Sequence, residues 1–101
     1  MIHVLASVSI KSGKREDFLK IFKANIANVR AEDGCIEYRP TVDVETGLEP
    51  QALDENLVTV IEKWESIDHL KAHLSAPHML EYRTNVAAMV TGVSLKVLED
   101  G

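Results

Sequence analysis

Residues 69–80 read HLKAHLSAPHML and hold all but one of the chain's four histidines. Imidazole changes charge near neutral pH, so such a cluster could bind a metal, move protons or hydrogen-bond an anion. His69 and His73 have the i, i+4 spacing of two ligands on one helix face. A metal would need both on one ion, with Glu65, His78 or Glu81 as the third ligand. Leu70, however, stands where the glutamate of an HExxH motif would be, and no carboxylate is placed behind the pair. No metal site is expected. By helical angle, Ile67, Leu70 and Leu74 define a buried stripe. His73 falls at its edge, suited to a pocket rim, and His69 lies farther round, toward solvent. His78 follows Pro77 in the first turn of a further helix. The positive end of the helix dipole disfavours imidazolium there, and a neutral ring can accept a proton or a hydrogen bond.

Other chemistry-bearing residues are few. Glu62 and Trp64 share one face at the end of an apparent strand. A buried glutamate is costly unless hydrogen-bonded, so its location is informative. Tyr38 is either core or a hydroxyl offered to a ligand. Tyr82 and Arg83 lie along the last helix, and Arg83 is either solvated or an anion holder. Cys35 is the only cysteine, so no internal disulfide forms and a reducing cytoplasm is the default. It reads as a small buried hydrophobe and not as a nucleophile. Phosphate loops, serine elbows, paired zinc knuckles and dinucleotide fingerprints are absent. No cofactor is announced, so a substrate would supply much of the reactivity.

The elements that must position these residues follow from periodicity. IHVLASVSI alternates, with Ile2, Val4, Ala6, Val8 and Ile10 on one face and His3, Leu5, Ser7 and Ser9 on the other. Phe18, Phe22, Ile26 and Val29 mark a helix from about Lys14 to Ala31, stopped at Gly34. CIEYRPTVDV reads as a second strand with Ile36 and Tyr38 on one face. The acidic segment 44–56 is a loop. LVTVIEKW is a third strand with Val58, Val60, Glu62 and Trp64 on one face. Ser66 caps a short helix, and Pro77 starts another, with Met79, Tyr82, Val86 and Met89 as its stripe and Gly92 as its end. VSLKVL is the last strand. The order β-α-β-β-α-β, its second helix broken at Pro77, predicts an α+β, ferredoxin-like domain over residues 1–101, with an antiparallel sheet and helices on one face. The uncovered face, where Leu5, Leu98 and Cys35 are expected, needs a partner, most simply a second copy packed sheet to sheet.

Composition bounds the function. A length of 101 residues allows one core. A net charge of −5 argues against nucleic acid, which needs a basic face. No apolar run approaches the roughly 18 residues of a membrane span, and the start lacks the basic region of a signal peptide. No membrane partner is expected.

EDGCIEYRPTVD and IEKWESIDHLKAHLSAPHMLEY together resemble the antibiotic biosynthesis monooxygenase family, and within it the small bacterial quinol monooxygenases. The likeness runs nearly end to end. It rests on Gly34-Cys35 leading to Tyr38, on Glu62-x-Trp64-Glu65-Ser66, on His73 and on Pro77-His78. The resemblance implies a ferredoxin-like homodimer with a pocket between sheet and helices. It implies oxidation of quinols or polycyclic phenols with O₂ to quinones, without metal or flavin. On this chain it implies His73 and His78 as base and anion hydrogen-bonding groups. Tyr38, Trp64 and Tyr82 would line the pocket, Glu62 would orient a histidine or the substrate, Arg83 would hold an anion, and Ser7 is a further candidate. Haem-degrading members carry a tryptophan near His73 and a histidine near Tyr82 or Arg83, and neither is present. Another branch isomerises a phosphorylated autoinducer-type ketone and also carries the two histidines. That substrate would need cations, for which Arg39, Lys71 and Arg83 are the candidates. A non-catalytic dimeric ligand-binding module is the third reading.

Overall fold

The computed structural model describes residues 1–101. The chain forms, in order, β1 (Ile2–Ile10), α1 (Arg15–Arg30), β2 (Cys35–Thr41), β3 (Leu57–Trp64), α2 (Ile67–Leu74), α3 (Pro77–Val86) and β4 (Val90–Glu99). The sheet runs β2-β3-β1-β4, with every neighbouring pair antiparallel. This is the ferredoxin-like arrangement expected from the element order. No helix is long and apolar enough to cross a membrane.

The pleat explains the core. Ile2, Val4, Ala6, Val8 and Ile10 of β1 face the helices and are buried. Opposite them, Val58, Val60, Glu62 and Trp64 of β3 take the same face. Phe18, Phe22 and Val29 of α1 complete the layer, each 2% exposed or less. Burying side chains of this size contributes about 1.5–3 kcal/mol apiece.

Several local expectations change. A register shift between Cys35 and Glu37 separates Ile36 from Tyr38: Ile36 is exposed and Tyr38 buried. The same bulge places Cys35 opposite Trp64, packed against the core and not on the open face. Gly92 does not end α3. It lies inside β4 opposite Ser9, beside a second register shift. On α2 the buried face is rotated from the one that periodicity suggests. Leu70 and His73 are buried, whereas Ile67 and Leu74 are exposed. Ser66 does cap α2, accepting the His69 backbone N–H at 3.2 Å.

Helices leave one strip of the sheet bare. Val93, Leu95 and Val97 of β4 pair with Val8, Ala6 and Val4 and so point to the helix side, yet all three are exposed. The opposite sheet face is mixed, with Leu5 and Leu98 partly exposed among polar neighbours.

Candidate active site

A cavity of about 490 Å³ lies between the sheet and α2–α3. Its floor is Ala6 and Val8 of β1, Val60 and Glu62 of β3, and Tyr38 of β2. Phe22, His73, Leu74, Met79, Tyr82, Arg83 and Val86 form the helical wall, and Val93 and Leu95 line the β4 side. Its volume is that of an ordinary small-molecule site.

The polar groups within it are few and conspicuously free. No buried side-chain nitrogen or oxygen lacks a hydrogen-bond partner. His73 is 2% exposed and makes one side-chain hydrogen bond, from Nδ1 to Glu32 Oε2 at 2.8 Å. Its Nε2, which has no partner, must therefore be an atom still reachable, and the space that His73 lines is the cavity. The same reasoning holds for Glu62. Its Oε1 accepts Trp64 Nε1–H at 3.0 Å, and its Oε2 makes no bond. It holds also for the Tyr38 hydroxyl, on a residue 3% exposed. An imidazole nitrogen, a carboxylate oxygen and a phenol thus open into an otherwise apolar space.

Aromatic packing fixes these groups. The Phe22 ring stacks on Tyr38 at 5.2 Å and meets Tyr82 edge-on at 5.8 Å. Trp64 lies 4.7 Å from the His73 ring, and Tyr38 meets that ring edge-on at 5.4 Å. Such contacts restrain rings that would otherwise rotate.

Burial sets the protonation states. Desolvation raises the Glu62 carboxyl to about 7, against the lowering effect of the Trp64 N–H. Desolvation lowers His73, opposed by the hydrogen bond and charge of Glu32. Burial pushes the phenols of Tyr38 and Tyr82 up, so both remain O–H donors at neutral pH.

The expected site residues divide. His73, Tyr38, Glu62, Tyr82 and Arg83 meet at the cavity. Trp64 does not line it. It is fully buried behind the wall, where its N–H holds Glu62. Glu62 makes no hydrogen bond to a histidine; His73 and His78 both reach Glu32. Ser7 lies on the opposite sheet face, between Thr59 and Ser94, because the pleat alternates. Arg83 Nη2 donates to the Leu74 carbonyl at 2.6 Å, so its guanidinium ties α3 to the end of α2. His78 reaches Glu32 Oε2 through Nε2 at 2.8 Å, and lines a separate polar cleft between α1 and α3 with Asn25, Asn28 and Glu81.

His69 and His73 do not converge on one point. Ser66 Oγ lies 2.7 Å from His69 Nδ1, and His69 Nε2 lies 3.4 Å from Asp33. The ring is half-buried against Gly34 instead of standing in solvent. Asp33, Glu65 and His69 offer ligand atoms within 4.8 Å of one another, and both acids are exposed. The acidic loop 44–56 contributes nothing to the cavity wall.

Sequence reasoning missed two residues. Phe22 reads only as core, although it carries both tyrosines. Glu32 reads as a loop acid after α1, although it partners two histidines. The available signal was the cost of burying His73 without a partner, together with the α1–β2 turn that this topology brings against α2.

An antiparallel sheet roofed by helices over an apolar cavity, with an imidazole, a carboxyl and phenols in its lining, defines a small α+β protein with a candidate ligand site. The model of the antibiotic biosynthesis monooxygenase family matches residues 1–85, and the chain belongs to that family. It is 35% identical over 103 residues to a protein of Escherichia coli named probable quinol monooxygenase YgiN, covering 100% of this chain and 99% of that one. Rv0793 from Mycobacterium tuberculosis superposes with a TM-score of 0.81 at 27% identity, over 99% of this chain and 94% of that one. A conserved protein from Methanosarcina mazei Go1 shares the fold, with a TM-score of 0.84 at 21% identity over 99% and 92% of the two chains.

Proposed function

We propose that this enzyme oxidises a quinol or polycyclic phenol with O₂ to the quinone, using no metal or organic cofactor, with His73 as the base. The observation that carries the reading is the unbonded His73 Nε2, on a residue that lines a largely apolar cavity together with the phenols Tyr38 and Tyr82. A phenol in water ionises near 10, as tyrosine does, so a base working near pH 7 faces about 4 kcal/mol. Hydrogen bonds to a charged oxygen contribute about 1.5–3 kcal/mol each, so Tyr38 and Tyr82 together are sufficient to offset that gap.

The chemistry then belongs to the substrate. The anion gives one electron to O₂, and the radical pair either recombines or passes on the second electron. With a quinol, two electrons and two protons leave and O₂ becomes H₂O₂. With a phenol whose para carbon bears hydrogen, one oxygen stays as the new carbonyl and the other leaves as water. The apolar lining limits hydration of the anion on the helix and sheet sides, and flat ring faces suit the packing of Phe22 and Met79 around the space.

A phosphorylated substrate fits the lining poorly. Arg39 lies beyond the cavity and pairs with Glu37 at 2.8 Å, Lys71 is exposed on α2, and Arg83 alone reaches the wall.

Purified protein stripped with a chelator should accelerate O₂ uptake with a reduced naphthoquinone, and His73→Ala should abolish the acceleration. Equal rates for the two proteins would sink the assignment. Turnover without O₂, giving a product of equal mass, would select an isomerase instead. We also propose a homodimer through the open sheet face. Leu5 and Leu98 support it, and the exposed Val93, Leu95 and Val97 lie at the adjoining edge. Sedimentation of a monomer at micromolar concentration would refute it.

A further inference from the structure

We infer that Glu32 is a positioning residue of the oxidation site, and that His78 acts through it. This rests on the reading of His73 as the base. Glu32 stands in the α1–β2 turn, its side chain 14% exposed. Its Oε2 receives His73 Nδ1 from α2 and His78 Nε2 from α3, both at 2.8 Å. A carboxylate has no hydrogen to give, so each ring directs an N–H at it. For His73 this selects the tautomer with hydrogen on Nδ1 and the lone pair on Nε2, the atom that opens into the cavity.

The arrangement has a second consequence. When Nε2 takes the phenolic proton, His73 becomes an imidazolium in an apolar wall. Glu32, bonded to the opposite edge of the ring, supplies the compensating charge. His78 lines the cleft between α1 and α3 and not the cavity. Its N–H holds the carboxylate from the far side, at the start of α3. The chain is therefore substrate, His73, Glu32, His78, with chemistry only at the first ring.

A plain structural tie between helices would also explain two hydrogen bonds, and the two roles differ in what they move. The charged and titratable groups around the three residues are Arg30 of α1, Cys35 and Tyr38 of β2, Glu62 of β3, and Glu81, Tyr82 and Arg83 of α3. Glu32→Gln keeps an acceptor oxygen and removes the charge, and with it a smaller upward push on Cys35, Tyr38 and Glu62, so the His73 ring itself is the group to read.

The test combines ¹⁵N NMR of the His73 ring with steady-state rates for wild type, Glu32→Gln, Glu32→Asp, His78→Ala and the Glu32→Gln/His78→Ala double variant. In wild type, the ¹⁵N shifts should report hydrogen on Nδ1. In Glu32→Gln the His73 titration should move to lower pH, and kcat should fall on the order of 100-fold with KM little changed. Glu32→Asp should recover part of the rate. Adding His78→Ala to Glu32→Gln should cause no further loss, whereas in wild type it slows turnover. Hydrogen on Nε2 in wild type, or a Glu32→Gln protein with unchanged titration and kcat, overturns the inference. The NMR readout needs no turnover. If wild type oxidises no quinol, the reading of function fails while the placement of the His73 hydrogen by Glu32 is still decided.

Discussion

Replacing Glu62 with glutamine should make the protein more stable above neutral pH and leave it nearly unchanged in acid. Glu62 is 6% exposed on the cavity floor, and its carboxyl titrates near 7 instead of its ordinary 4.5. Between those values the folded chain keeps a proton that the unfolded chain has lost. Stability therefore falls as pH rises through that window, and the loss is complete above 7. At 1.36 kcal/mol per tenfold, the displacement from 4.5 to about 7 amounts to about 3 kcal/mol. Glutamine has the same shape, still accepts from Trp64 and never ionises. The stability gap between Glu62→Gln and wild type should thus grow by about 3 kcal/mol from pH 4.5 to pH 8. His73, lowered by burial, loses stability as pH falls below 6.5, but it does so in both proteins and cancels in the difference. Urea unfolding at fixed protein concentration measures the gap. With a slope of about 1.5 kcal/mol per molar, the midpoints should separate by about 2 M at pH 8 relative to pH 4.5. A gap that stays constant with pH, or one that widens toward acid, would refute the account of Glu62 as a desolvated carboxyl.

Two further outcomes follow from the same geometry. Quinol oxidation should show a bell-shaped dependence on pH, its acid limb set by His73 and its alkaline limb by Glu62, and Glu62→Gln should lose the alkaline limb in a rate profile. Gly34→Ala should destabilise the fold by about 2–4 kcal/mol in urea unfolding, since φ there is +80° and an added Cβ would overlap the His69 ring.

The legible parts of this fold were those governed by repeat. The period of two in β1 and β3 set their faces, and Pro77 fixed the break between α2 and α3. What periodicity missed had two physical causes. One is the bulge at Cys35–Glu37, a single unpaired residue that reverses the faces of Ile36 and Cys35 and leaves no mark in composition. The other is pairing at long range. On α2 a count of apolar residues favours Ile67 and Leu74 for burial, but the helix turns His73 inward because Glu32, 41 residues earlier, satisfies it. A helix of eight residues has so little apolar surface that one buried hydrogen bond can decide its rotation. Trp64 and Ser7 illustrate the same limit at the site. Residue type suggested a pocket lining, and the pleat and depth placed one behind the wall and the other on the far face.

Two of the cavity's titratable groups, Glu62 and His73, reverse their ordinary order. In water a carboxyl loses its proton about two pH units below imidazole. Here desolvation acts on both, and it acts oppositely because the charged form is the deprotonated one for Glu62 and the protonated one for His73. The carboxyl rises to about 7 while the imidazole moves below 6.5. Near neutral pH the same cavity therefore offers a free base and a carboxyl that is still partly protonated. Neither state would survive in solution beside the other, since the proton would pass from acid to base. An oxidation that begins by removing a phenolic proton and ends by protonating reduced oxygen needs both at once. Apolar burial of a Glu and a His is one physical means of supplying them. Trp64 and Glu32 then keep each group from burying itself unpaired.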